Sequence, residues 1–126
     1  MTEKVDLAGL PDRVDEYGPA AYLVTVGEGG APHVVSVTVA RAGTTLQLAA
    51  GRTSRRNATA NPTVTLLWPA GPDGQYSLLV DGRAAVPAGG DGGGPDTPLE
   101  IEPTSAILHR DAGGQGPTCL PVTPTQ

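Results

Sequence analysis

Phenylalanine is absent from this chain, and Tyr17, Tyr22, Trp68 and Tyr76 are its only aromatic residues. The interior must therefore be built from Val, Leu, Ile and Ala, which supply most of the 38 % hydrophobic content. Cysteine is limited to Cys119, so no intrachain disulfide can form, and its place in a Pro-rich tail argues against a structural metal. That usage fits a reducing cytoplasm. His33 and His109 lie far apart and define neither a metal cluster nor a general base, so both are expected at the surface or a strand edge, and no metal site is expected. Long apolar runs are lacking too, and Met1 to Leu10 carries Glu3 and Asp6, so neither a secretory signal nor a membrane span is expected.

Basic residues are scarce, eight against 13 acidic ones, for a formal net charge of -5, which excludes a generic nucleic-acid binder. The carboxylates are not arranged for hydrolysis. Asp12, Asp15 and Glu16 share one N-terminal face and Glu100 lies with Glu102 on one side of a strand, so neither set offers an opposed acid and base. Ser36 and Ser54 lack a neighbouring histidine and any nucleophile-elbow motif.

What is present is a succession of short strands. Val5 to Tyr17 has helical spacing interrupted by Gly9 and Pro11, which predicts a short, broken helix ending at Gly18-Pro19. Ala20–Val26 and His33–Ala40 read as the two arms of a hairpin around Gly27–Ala31. In the second arm Val35, Val37 and Val39 share an apolar face while Val34, Ser36 and Thr38 form a mixed one suited to lining a pocket. Thr45–Ala50, Thr63–Trp68 and Tyr76–Val86, the last bending at Gly82, continue the series. Leu99–Glu102 is a sixth strand, which Thr104–Arg110 either extends or follows with one helical turn. Trp68 and Tyr76 are expected as the largest packing units of the core.

One domain over residues 1–112 follows, with 87–98 a flexible Gly/Pro-rich loop and 113–126 a Pro/Gly-rich tail. Six strands with an apolar face each predict an all-β fold, a small antiparallel barrel with short helices, which hides strand edges. A chain of 126 residues buries roughly two-thirds of its unfolded surface, and with few large side chains its remaining apolar faces are expected to need a partner, as in a homodimer.

Three of the eight basic residues fall in Arg52-Thr53-Ser54-Arg55-Arg56, between a strand and a short helix over Arg55–Ala60 that Thr53 or Ser54 would cap and Asn61-Pro62 would stop. Helix amides, two hydroxyls and guanidinium donors in one segment suit a phosphate. A solvated helix start with ordinary surface arginines is the alternative.

The run GRTSRRNATANPTVTLLW, and within it Arg-Asn-x-x-x-Asn-Pro-x-Val-x-Leu at Arg56 to Leu66, resembles the pyridoxamine 5'-phosphate oxidase-like family of flavin-binding split β-barrels and their actinobacterial relatives that bind the deazaflavin F420. The resemblance extends over residues 17–110. It implies a six-stranded split barrel, a homodimer with two cofactor sites at its interface, and FMN or F420 as cofactor. It further implies that Val35, Ser36 and Val37 present backbone groups to the ring, while Arg52, Thr53, Ser54, Arg56 and Asn57, with Arg55 as a further source of charge, surround the phosphate. Two departures stand out. Many members carry lysine where this chain has Ser54, and many have a covering helix where this chain has residues 87–98. The readings that follow are a flavin- or F420-linked oxidoreductase, a non-catalytic module that sequesters such a cofactor, and a dimeric barrel without one.

Overall fold

A computed structural model describes residues 2–70, 74, 76–86 and 98–110. Its elements run β1 (Thr2–Lys4), a 3-10 turn (Leu7–Gly9), α1 (Leu10–Tyr17), β2 (Ala20–Val26), β3 (Pro32–Ala42) and β4 (Thr45–Leu48). They continue with α2 (Arg52–Ala60), β5 (Thr63–Trp68), β6 (Ser77–Ala85) and β7 (Leu99–His109). All pairings are antiparallel, and the order β7-β4-β3-β2-β5-β6 closes on itself through β6 and β7. This is the expected six-stranded barrel, with β1 as one outer strand.

Alternation decides what faces inward. Leu23, Leu66, Leu78, Val80, Leu99 and Ile101 have no exposed surface, and burying each contributes about 1.5–3 kcal/mol, so aliphatic residues alone fill the barrel. Trp68 seals one end. Its indole Nε1 donates to the Gly18 carbonyl at 2.8 Å, where the chain leaves α1 through the positive φ of Gly18 (89°). Pro11 does not break α1 as its sequence position suggested, because it lies in the first turn, where its missing N–H has no helical partner. α1 then buries Leu10 and Val14 against the barrel.

One open alternative is decided, in favour of strand extension, and two elements differ from expectation. Leu99–His109 is a single strand because Pro103 sits at a register shift opposite Gly82, and Thr104, which skips pairing there, donates its hydroxyl to the Asp81 carbonyl at 3.1 Å. β1 pairs with β7 on the edge that β4 leaves uncovered, and its three exposed residues carry no apolar pattern. The other is α2, which begins at Arg52, with Gly51 as an extended N-cap and no side-chain cap, so neither Thr53 nor Ser54 plays the capping role expected of it. The loop expected over 87–98, apart from Pro98, and the tail over 113–126 lie outside the described residues.

Candidate functional site

β3 is 11 residues long and β4 only four, so β3 outruns its neighbour. Beyond the last pair, Val39 with Leu48, the chain leaves the sheet through Ala49, Ala50 and Gly51 and enters α2. A cavity of about 220 Å³ occupies the resulting gap. Its wall joins Val35, Ser36 and Val37 to Arg52, Thr53 and Ser54, two segments the sequence had assigned to one site.

Backbone parity narrows what β3 offers there. The Val39 N–H donates to the Pro19 carbonyl at 2.8 Å and the Gly27 N–H to the Ala31 carbonyl at 3.0 Å, and the register between them is uninterrupted. Odd-numbered residues of β3 therefore bond towards β2, and even-numbered ones turn both peptide groups to the other edge. Of Val35, Ser36 and Val37, which all line the cavity, Ser36 alone turns its peptide groups to that edge, while those of Val35 and Val37 bond towards β2.

At the opposite wall the first intrahelical bond of α2 runs from the Arg55 N–H to the Gly51 carbonyl at 3.0 Å. The amides of Arg52, Thr53 and Ser54 precede it and have no helical acceptor. Ser54 is 2 % exposed, yet among the described residues its hydroxyl makes no hydrogen bond. Its oxygen is not among the enclosed unpaired atoms of the described residues, so it stays open to the cavity that Ser54 lines. The side chains of Thr53 and Arg52 likewise have no hydrogen bond or ion pair among the described residues. Among the described residues the wall contains no carboxylate.

Arg55, Arg56 and Asn57 are placed differently. None of them lines the cavity: Arg55 and Asn57 are buried, and Arg56 is exposed. Asn57 instead donates through Nδ2 to Thr25 Oγ1 at 3.1 Å, inside the barrel wall. His33, expected as an ordinary edge residue, lines the cavity. No local signal marked it, because its place follows from its pairing with Thr25 and from the early end of β4.

A larger cavity of about 340 Å³ lies beside α1 and is bounded mainly by apolar residues such as Leu7, Leu10, Val14 and Leu46. Its cation is already engaged. Arg41 donates through Nε and Nη2 to the two Asp15 carboxylate oxygens at 2.9 Å each and through Nη1 to the Gly43 carbonyl at 2.9 Å. The guanidinium hydrogen bond holds the Asp15 carboxyl below its ordinary range. We therefore place the chemistry at the smaller cavity, where the donors are unspent.

The fold is a split β-barrel, shared with solved proteins named after pyridoxamine 5'-phosphate oxidase. Among solved structures, a Listeria innocua protein named after pyridoxamine 5'-phosphate oxidase superposes with a TM-score of 0.64 at 19 % identity, covering 82 % of this chain and 98 % of that one. The FAD-binding protein of Mycobacterium smegmatis gives 0.61 at 13 % identity over 87 % of this chain and all of that one (100 %). An F420 reductase gives 0.54 at 22 % identity over 70 % and 88 %. No family model matches the chain. The uncharacterized proteins Mb0449c of Mycobacterium bovis and MT0457 of Mycobacterium tuberculosis are each 39 % identical over 130 aligned positions, spanning 92 % of this chain and 87 % of theirs. The chain belongs to the family of these mycobacterial proteins.

Proposed function

We propose that the chain binds a phosphate-bearing flavin-type cofactor, FMN or F420, with its phosphate at the start of α2. The Ser54 hydroxyl, without a hydrogen bond among the described residues and set in the same cavity wall as Arg52 and Thr53, carries this reading. With the amides of Arg52, Thr53 and Ser54, the Thr53 hydroxyl and the Arg52 charge, it forms a donor set that fits a phosphate. FAD-binding and F420-reducing proteins of the same fold support the choice of cofactor class.

Once bound, such a cofactor supplies hydride chemistry towards a small molecule. The chain's own residues do the rest: Arg52 and Ser54 hold the phosphate, the Ser36 peptide offers a donor and an acceptor to the ring, and Val35 and Val37 exclude water. Ser54 stands where many relatives carry lysine, and neither Arg55 nor Arg56 reaches the wall, so Arg52 supplies the arginine charge. Sequestration without turnover is the second reading, because the described wall consists mainly of anion donors and small or apolar residues.

At about 220 Å³ the cavity falls short of the roughly 300–1,000 Å³ of complete small-molecule pockets, so we propose that a second copy completes it in a homodimer. The lone cysteine is consistent with a cytoplasmic setting.

Fluorescence titration of the purified protein with FMN, F420 and phosphate-free riboflavin tests the cofactor reading. Micromolar binding of one phosphate-bearing cofactor is expected, weakened by about 1.5–3 kcal/mol in Arg52→Ala and unchanged in Arg56→Ala. Added reductant and acceptor then separate turnover from sequestration. Binding of neither cofactor would leave the barrel without one.

A further inference from the structure

His33 follows Pro32 into β3 and pairs with Thr25, the residue whose hydroxyl accepts from Asn57 of α2. This register sets its half-buried side chain in the cavity wall with Arg52, Thr53 and Ser54. Among the described residues the ring makes no hydrogen bond or ion pair. His109 differs, its Nδ1 lying 3.2 Å from Thr2 Oγ1.

The charges around His33 are of one sign in the wall itself. Arg52 lines the cavity, Arg55 and Arg56 follow on the same helix, and the exposed Glu28 of the β2–β3 turn lies outside the wall, as do the other carboxylates among the described residues. The helix N-terminus adds partial positive charge to the same gap. A dianion seated there gives the imidazole an opposite charge to pair with.

The geometry points to His33 as the second cationic partner of the anion held at the start of α2, so that binding of a phosphate dianion takes up a proton on the imidazole. This rests on the phosphate seat proposed above and narrows its ligand to a phosphate monoester, whose second negative charge a second cation reads; a diester has only one. The proton comes from solvent, and no bond is made or broken. Anion affinity is then full when the ring is charged and falls as pH rises through the histidine range.

Inorganic sulfate is the suitable probe, because it stays dianionic where histidine titrates. Isotope-labelled full-length protein is titrated with sulfate at constant ionic strength, at about pH 5.5 and about pH 8, following the amide resonances of Arg52, Thr53 and Ser54. In the natural protein affinity is expected to fall about tenfold between the two, the effect of one unit of linked titration. His33→Gln keeps a donor but not the charge and is expected to bind equally weakly at both; His109→Gln is expected to retain the fall. An undiminished fall in His33→Gln would overturn the role of His33 and leave the phosphate seat standing. Amide resonances that do not move at either pH would remove the seat, and this inference with it.

Discussion

Asn57 Nδ2 donates to Thr25 Oγ1 at 3.1 Å between two buried side chains, and this contact ties the helix that opens the cavity to the strand behind it. Space for it is made by Gly27, where a β-carbon would stand 3.3 Å from Asn57 Oδ1. The asparagine thus bears on the proposed phosphate seat through the placement of α2. Thr25→Val keeps the shape and strands the Asn57 donor in the interior, which is expected to cost about 1–3 kcal/mol in urea unfolding. A loss below about 0.5 kcal/mol would mean that the helix is held by other contacts.

Gly82 is required by the barrel for a different reason. A β-carbon there would lie 2.6 Å from Ile101 Cγ2 and 2.8 Å from the Glu102 carbonyl oxygen, and the latter is backbone of the paired strand that cannot swing aside. Gly82→Ala is expected to destabilise by about 1–3 kcal/mol, as overpacking does. Gly29→Ala, where nothing lies within 4 Å of the added carbon, is the control and is expected to leave the unfolding midpoint within error. Equal midpoints for the two variants would contradict the closeness of β6 and β7 at this bulge.

Sequence reading succeeded where the physics is local. The period-two pattern of Val35, Val37 and Val39 and the glycines of the β2–β3 turn identify the hairpin without reference to the rest of the chain. It failed where a distant residue decides. Whether Thr104–Arg110 extends the last strand stays open until Gly82 is found opposite Pro103, and Thr53 and Ser54 resemble caps until Gly51 takes that place. The phosphate segment was legible as a cluster of charge and donors, but not which members face inward. That division depends on Gly27 admitting Asn57 and on β4 stopping at Leu48. His33 was illegible as a site residue for the same reason.

The outer surface of the barrel carries the last prediction. Register places Ile107, Leu79, Leu67 and Tyr22 side by side across four strands, with Ser36 of the cavity wall next in the row. Val34, opposite Val24 one row away, is 57 % exposed, and Tyr22 is 41 % exposed. A continuous apolar face of this kind suits the homodimer proposed above, and a second copy docked on it would lie beside Ser36 and the cavity. Sedimentation velocity is expected to give the mass of two chains for the natural protein. Tyr22→Asp or Val34→Asp is expected to weaken dimerisation by 2 kcal/mol or more, about 30-fold, as for a residue at an interface centre. On the proposal that a second copy completes the cavity, the monomeric variants should also lose affinity for the proposed cofactor, although Arg52 and Ser54 are untouched. A natural protein that sediments as one chain at micromolar concentration would sink this arrangement, and a monomeric variant with full affinity would show that one chain suffices for the site.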